Sequence, residues 1–227
     1  MAIFKDYEIN NGLTNMAIDN ELLEYSIENN LEEPILRFYG WSPPCISLGR
    51  NQSDKFINKE FCSKNNIDIV KRLTGGRALL HDNELTYSFI CPVKYLNSSD
   101  SVILSYKEIS SALITGFRKL KIELAFAENK KPNAKFDYCM FISSGADLSY
   151  EGKKLIGSAQ FRKNNYLLQH GSILINYNKQ LIKDIFHDDY NEDSITFLEE
   201  IDKNITIEML KQALKEGFVD YFNLNLS

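Results

Sequence analysis

Between Lys71 and Ile90 the chain reads KRLTGGRALLHDNELTYSFI. Gly75 and Gly76 lie in a turn between two apolar strand patterns, with Arg72, Arg77 and His81 crowded around it. Glycine permits positive φ and lets another group approach bare backbone. A turn with cations beside it can hold a polar or anionic group. A Gly-Gly pair alone also fits a plain hairpin turn with solvated arginines. Gly157-Ser158-Ala159 is a second run of small residues, placed in a strand pattern where a ligand or another backbone can come close.

Two further side chains could do chemistry. Cys139 offers a thiol and Lys154 an amine. Taken singly, a cysteine is most often a small buried hydrophobe and a lysine a solvated charge. His81, His170 and His187 could ligate a metal, but nothing in their spacing supports one. The four cysteines, Cys45, Cys62, Cys91 and Cys139, form no C-x-x-C pair, which argues against zinc and thioredoxin-type chemistry. There is no GxxxxGK[ST] phosphate loop, no HExxH and no GxSxG elbow.

These groups need elements to position them. Thr14 caps a helix to about Asn29, with Ile18, Leu22 and Tyr25 on its apolar face. Strands are expected over Ile35 to Tyr39, Cys45 to Leu48, Asp68 to Lys71, Leu85 to Phe89 and Ile122 to Phe126. Asp147 to Tyr150 pairs with Lys154 to Ile156, and Leu167 to Ile175 is a strand interrupted by Gly171. Helices are expected over Asp54 to Lys64, Ser101 to Leu120, Lys179 to Phe186 and Thr206 to Tyr221. Leu104, Ile109, Leu113 and Phe117 form the buried stripe of the second of these, and Met209, Leu210, Leu214 and Phe218 that of the last. Strands with peripheral helices and no regular β-α alternation argue for an α+β fold. Length favours a single domain over 1–227. A net charge of −5 argues against a general nucleic-acid binder. No apolar run approaches the roughly 20 residues of a membrane span. The first residues, MAIFKDYEIN, lack the pattern of a secretory signal, so a cytoplasmic location is expected.

Three strings together resemble the lipoate and octanoate attachment family, relatives of the biotin protein ligases. They are WSPPCISLGRNQ, TGGRALLH followed by ELTYS, and GKKLIGSAQFR followed by LLQHGSIL. The resemblance implies a mixed, largely antiparallel sheet with flanking helices, shared with biotin ligases and class II aminoacyl-tRNA synthetases, over about 34–214. It implies that Arg72, Gly75, Gly76, Arg77, His81, Gly157, Ser158, Ala159, His170 and Gly171 bind substrate. Arg77, directly after the glycines, looks like the octanoyltransferase branch. In that branch the active-site lysine matches Lys154, and the nucleophilic cysteine fifteen positions upstream matches Cys139. The family often shows two arginines where this chain has Lys71-Arg72, and an acidic residue after an aromatic where it has ISSGAD.

The activity so implied moves octanoyl from octanoyl-acyl carrier protein to a lysine of a lipoyl-accepting protein, such as the glycine cleavage H protein or a lipoyl domain. It uses no ATP and no metal. The alternative is a lipoate–protein ligase that consumes ATP and makes an acyl-adenylate. A thiolate can take an acyl group from a thioester, and an amine can then attack the new thioester. A neighbouring ammonium favours the thiolate. Backbone N–H groups at Gly157-Ser158 or at Gly75-Gly76 could hold the oxyanion. Acidic protein partners would call for local basic residues, and Lys130, Lys131, Lys135, Lys153, Arg162 and Lys163 cluster around the site in sequence.

Overall fold

The computed structural model describes residues 1–127, 147–186 and 194–226. Along the chain run β1 (Ile3–Asn10), α1 (Gly12–Glu28), β2 (Ile35–Trp41), β3 (Cys45–Leu48), α2 (Lys59–Lys64) and β4 (Asp68–Lys71). Then follow β5 (Leu79–His81), β6 (Glu84–Pro92), α3 (Val102–Lys119), β7 (Ala125–Phe126), β8 (Leu148–Tyr150), β9 (Lys153–Lys163) and β10 (Tyr166–Leu174). The last helices are α4 (Lys179–Ile185), α5 (Leu198–Ile201) and α6 (Ile207–Phe222). Seven strands form one sheet in the order β1-β2-β6-β10-β9-β8-β7, and three form a second in the order β4-β3-β5. Among the described strands only β1–β2 and β3–β4 pair in parallel. This is the mixed, largely antiparallel α+β arrangement expected.

One face of the large sheet is apolar. Leu36, Phe38, Leu85, Tyr87 and Phe89 pack there against Ile109, Leu113 and Phe117 of α3 and Leu214 and Phe218 of α6. The two helices approach closely because Gly116 and Gly217 meet between them. The other face carries Arg37, Tyr39, Thr86, Ser88, His170 and Ser172, and it is buried too. β6 alternates apolar and polar residues, the pattern of a half-buried strand, yet all nine of its residues are buried.

α1 covers part of this polar face, and its own buried residues are Gly12, Asn15, Asp19, Leu23 and Ser26. The expected face of Ile18, Leu22 and Tyr25 is half-buried or exposed. Polar groups are satisfied across the junction. Arg37 Nη1 donates to Asp19 Oδ1 at 2.7 Å, Arg37 Nη2 to Asn15 Oδ1 at 2.7 Å, and the Tyr39 hydroxyl to Asp19 Oδ2 at 2.8 Å. The helix also begins earlier than expected. Asn11 is the cap, and its side chain accepts from Thr14 N–H.

Other boundaries shift for local reasons. β1 was not anticipated, because an edge strand with half its residues exposed lacks a clean alternation. Asn58, not Asp54, caps α2. The strand expected over Ile122 to Phe126 is only β7, and Gly171 leaves β10 unbroken. Leu104 and Met209 are exposed, not in the core. Among the described residues no helix is long and apolar enough to cross a membrane.

Two outcomes test this packing. A Cβ at Gly217 would lie 2.4 Å from Gly116 N and 2.6 Å from Ala112 O, both backbone atoms. Gly217→Ala should therefore destabilise by roughly 1–3 kcal/mol, read as a lower denaturant midpoint. Burial by itself would raise the pKa of Asp19, but the hydrogen bond from His170 and the charge of Arg37 are among the causes that outweigh it, and the pKa is lowered from its ordinary 3.8. A lowered carboxylate stabilises the fold above its unfolded pKa, and this is lost as pH falls through the folded value. Stability should fall below about pH 4, and less steeply in Asp19→Asn, by denaturant titrations at neutral and acid pH.

Candidate active site

A cleft lies between the polar face of the large sheet and the small sheet. Its floor is Tyr39 and Trp41 on β2, Thr86 on β6, His170, Gly171 and Ser172 on β10, and Gly157, Ser158 and Ala159 on β9. Met16 of α1, Ser47, Leu79 and His81 of the small sheet, and Arg72 and Gly76 close it. The floor crosses four neighbouring strands, a span of about 14 Å at ordinary strand spacing. Trp41 and His81 stack at the β2 end with ring centroids 3.9 Å apart.

The glycine turn does not join a hairpin. β4 and β5 both pair with β3 and not with each other, so the turn crosses over the end of β3. Gly49 follows β3 and lies beneath Gly76, where a Cβ would come within 1.9 Å of the Gly76 carbonyl oxygen. Gly76 has φ of +92°, which strains any other residue. Arg72 holds this turn. Its guanidinium donates to Thr74 Oγ1, to both Ser47 oxygens, and to the carbonyls of Gly75 and Arg77. Gly75 and Arg77 therefore serve the turn through their carbonyls and do not line the cleft.

His81 is not a third cation beside the turn. Burial foremost lowers its pKa, so at neutral pH it is a neutral imidazole. It bonds Ser47 Oγ at 2.8 Å, and its Nδ1 faces the Glu84 carboxylate at 3.5 Å. His170 bridges Asp19 and Thr74. Gly171 shows its backbone to the cleft, while its absent side chain serves the opposite face. There the Tyr87 hydroxyl reaches Ser158 Oγ at 2.8 Å, and Tyr87, Gly171 and Ser158 lie side by side on three strands. A Cβ at Gly171 would meet that Oγ at 2.2 Å.

Lys154 is 1% exposed, and its ammonium lies 2.9 Å from Asp147 Oδ2. Buried lysines are rare and need a partner. Asp147 also accepts from the Tyr106 hydroxyl at 3.3 Å, and that oxygen accepts from Ser158 N–H at 3.1 Å and lies 2.9 Å from Ser158 O. Lys154 is thereby connected through Asp147 and Tyr106 to the small-residue wall of the cleft. Sequence reasoning missed Asp147 and Tyr106. Six residues and a strand turn separate Asp147 from Lys154, and no periodicity links them.

Cys139 and His187 lie outside the described residues, as do Lys130, Lys131 and Lys135. The described cysteines, Cys45, Cys62 and Cys91, are free and buried. Burial pushes all three thiols up, which suppresses thiolate. The remaining basic residues of the expected cluster have local partners. Lys153 faces Glu200, Lys163 pairs with Glu24, and Arg162 donates to the Ser99 and Ser101 carbonyls and Ser105 Oγ.

Comparison with known proteins places this geometry. Residues 11–219 match the lipoyl protein ligase A/B catalytic domain. Octanoyltransferase LipM of Bacillus subtilis (strain 168) is 36% identical over 231 residues, covering 93% of this chain and 83% of that protein. Octanoyltransferase LipM of Carboxydothermus hydrogenoformans is 43% identical over 173 residues, covering 76% of this chain and 64% of its own. Among solved structures, Ta0514, a putative lipoate protein ligase from T. acidophilum with bound lipoic acid, superposes with a TM-score of 0.78 at 20% identity, covering 100% of this chain and 88% of its own. Biotin protein ligase from Aquifex aeolicus gives 0.51 at 12% identity, covering 98% and 70%. These two share the fold. On the extent of the domain match and of the identity to its curated relatives, the chain belongs to the lipoyl protein ligase A/B catalytic domain family.

Proposed function

We propose that the protein transfers an octanoyl group from octanoyl-acyl carrier protein to a lysine of a lipoyl-accepting protein, through a thioester on Cys139. Kinship to the octanoyltransferases makes it an acyltransferase of protein lipoylation. The observation that carries the finer reading is Lys154, an ammonium buried beside Asp147 at the edge of the cleft wall. The substrate-binding residues Arg72, Gly75, Gly76, Arg77, His81, Gly157, Ser158, Ala159, His170 and Gly171 form this cleft or the turn above it.

The Cys139 thiolate attacks the donor thioester, and the carrier thiol leaves with a proton from the Lys154 ammonium. The acceptor lysine then attacks the acyl-cysteine and gives its proton to the neutral Lys154. Cys139 departs as a thiolate, and the ammonium is restored. Asp147 holds Lys154 in place throughout. A thioester is already activated, so neither ATP nor a metal is required. The raised thiols of Cys45, Cys62 and Cys91 favour Cys139 for this role. Ser158 N–H is bonded to Tyr106. The Gly76 N–H group, on the cleft, has no partner among the described residues, which favours it as an oxyanion donor. The acceptor is of the H-protein or lipoyl-domain kind, and the setting is the cytoplasm, where free thiols persist.

Wild type incubated with octanoyl-acyl carrier protein and no acceptor should gain one octanoyl mass that neutral hydroxylamine releases. Cys139→Ala should gain none. Lys154→Ala should load slowly at neutral pH and recover in part as pH rises. Lys154→Arg should load but transfer poorly, since arginine cannot take up the amine's proton. Transfer by Cys139→Ala at the wild-type rate, with ATP–pyrophosphate exchange dependent on lipoate, would establish the ligase chemistry instead. For the glycine turn, Gly76→Val should lower acyl loading, because Cβ would lie 2.9 Å from Arg72 Nη2 at a positive φ. Normal loading by the folded variant would reduce the turn to a connection.

A further inference from the structure

Asp19 is 2% exposed on α1 and does not line the cleft. Its Oδ2 lies 3.0 Å from His170 Nδ1, and His170 Nε2 lies 2.8 Å from Thr74 Oγ1. Thr74 directly precedes the glycine turn and is fully buried. Its Oγ1 accepts from Arg72 Nε at 3.1 Å, and its carbonyl accepts from Arg50 N–H at 2.9 Å.

With a neutral imidazole, one proton arrangement satisfies the whole chain. A carboxylate can only accept, so Nδ1 carries the hydrogen toward Asp19. Nε2 of the neutral ring is then an acceptor and takes the Thr74 hydroxyl hydrogen. The Thr74 oxygen is left open to Arg72 Nε–H. Each bond sets the direction of the next, from α1 through β10 to the turn.

We infer that Asp19 is a positioning residue, which fixes the His170 tautomer and, through Thr74, holds the glycine turn over the acyl cleft. The inference rests on the acyl-transfer reading above. A merely structural acid would need only Arg37 and Tyr39, which already bond it on α1's side of the sheet. The third bond leads to two residues that touch the cleft or its roof.

Asp19→Asn separates the two roles. Asparagine would turn its oxygen to Arg37, because an amide N–H facing a guanidinium is repelled. Its N–H then faces Nδ1 and can bond only the Nε2–H tautomer. That tautomer no longer accepts from Thr74. Imidazole nitrogen NMR of histidine-labelled protein, with His170→Gln for assignment, should show Nδ1–H in wild type and Nε2–H in Asp19→Asn. Octanoyl transfer by Asp19→Asn should show KM for octanoyl-acyl carrier protein raised about tenfold, the effect of one buried hydrogen bond, with kcat nearly unchanged. Thr74→Val should raise KM alike without disturbing α1, and Thr74→Ser should restore it. An unchanged tautomer in Asp19→Asn, or an unchanged KM in Thr74→Val, overturns the positioning role. Wild type that transfers no octanoyl overturns the functional reading and this inference with it.

Discussion

The fold depends on burying a polar sheet face, and the ion pair of Arg37 with Asp19 is what makes that possible. A strand interior such as β2 normally presents aliphatic side chains to a covering helix. Here Arg37 and Tyr39 face α1, and a buried guanidinium without a carboxylate would cost several kcal/mol. Asp19 at 2.7 Å and Asn15 at 2.7 Å supply the acceptors. Replacing such a pair by well-packed apolar residues is often neutral or stabilising, so stability alone does not explain it. The pair instead lets Thr86, His170 and Ser172 remain polar in the interior, next to a cleft that an apolar face would fill.

The proposed site divides into a binding half and a reacting half with different physics. The cleft is roofed by Arg72, which uses its fork of donors to hold a turn whose glycines lack side chains to anchor it. The reacting half is built on β9. The buried Lys154 ammonium is held by Asp147, and Asp147 is held by Tyr106 from α3. Tyr106 also bonds the Ser158 backbone beyond the end of β8, so a single hydroxyl joins the edge of the sheet to the ion pair. The two halves meet at Gly157 to Ala159, where small residues leave the floor open.

Much of the architecture was legible because apolar periodicity reports apolar burial. α3, α6 and the central strands follow that rule. α1 does not, since Gly12, Asn15, Asp19, Leu23 and Ser26 recur at helical spacing but are mostly small or polar. A stripe of that kind is visible only to a search for 3- and 4-residue spacing that ignores hydrophobicity. β1 was hidden by its exposure at the sheet edge. In the site, motif resemblance reached the residues on the turn and on β9 and β10. It did not reach Asp147, Tyr106 or Asp19, which act through contacts between distant segments. It read Arg72 as a substrate-binding cation but not as the group that holds the turn, a second role that composition around Gly75-Gly76 does not contain.

The placement of the three described thiols bears on why the chemistry should centre on a separate segment. Cys45 and Cys91 sit within strands and Cys62 within α2, where the surrounding apolar groups disfavour charge. A thiolate formed there would lose solvation, and Asp68 near Cys45 and Glu108 near Cys91 disfavour it further. Lys154 is the opposite case: its cost of burial is met by Asp147, and Tyr106 fixes that acid from a third element. A cation held so rigidly can stabilise a thiolate brought to it, while mobility in the ammonium would weaken that field with distance. In the proposed mechanism the scaffold therefore supplies the charge, and Cys139 supplies the thiolate.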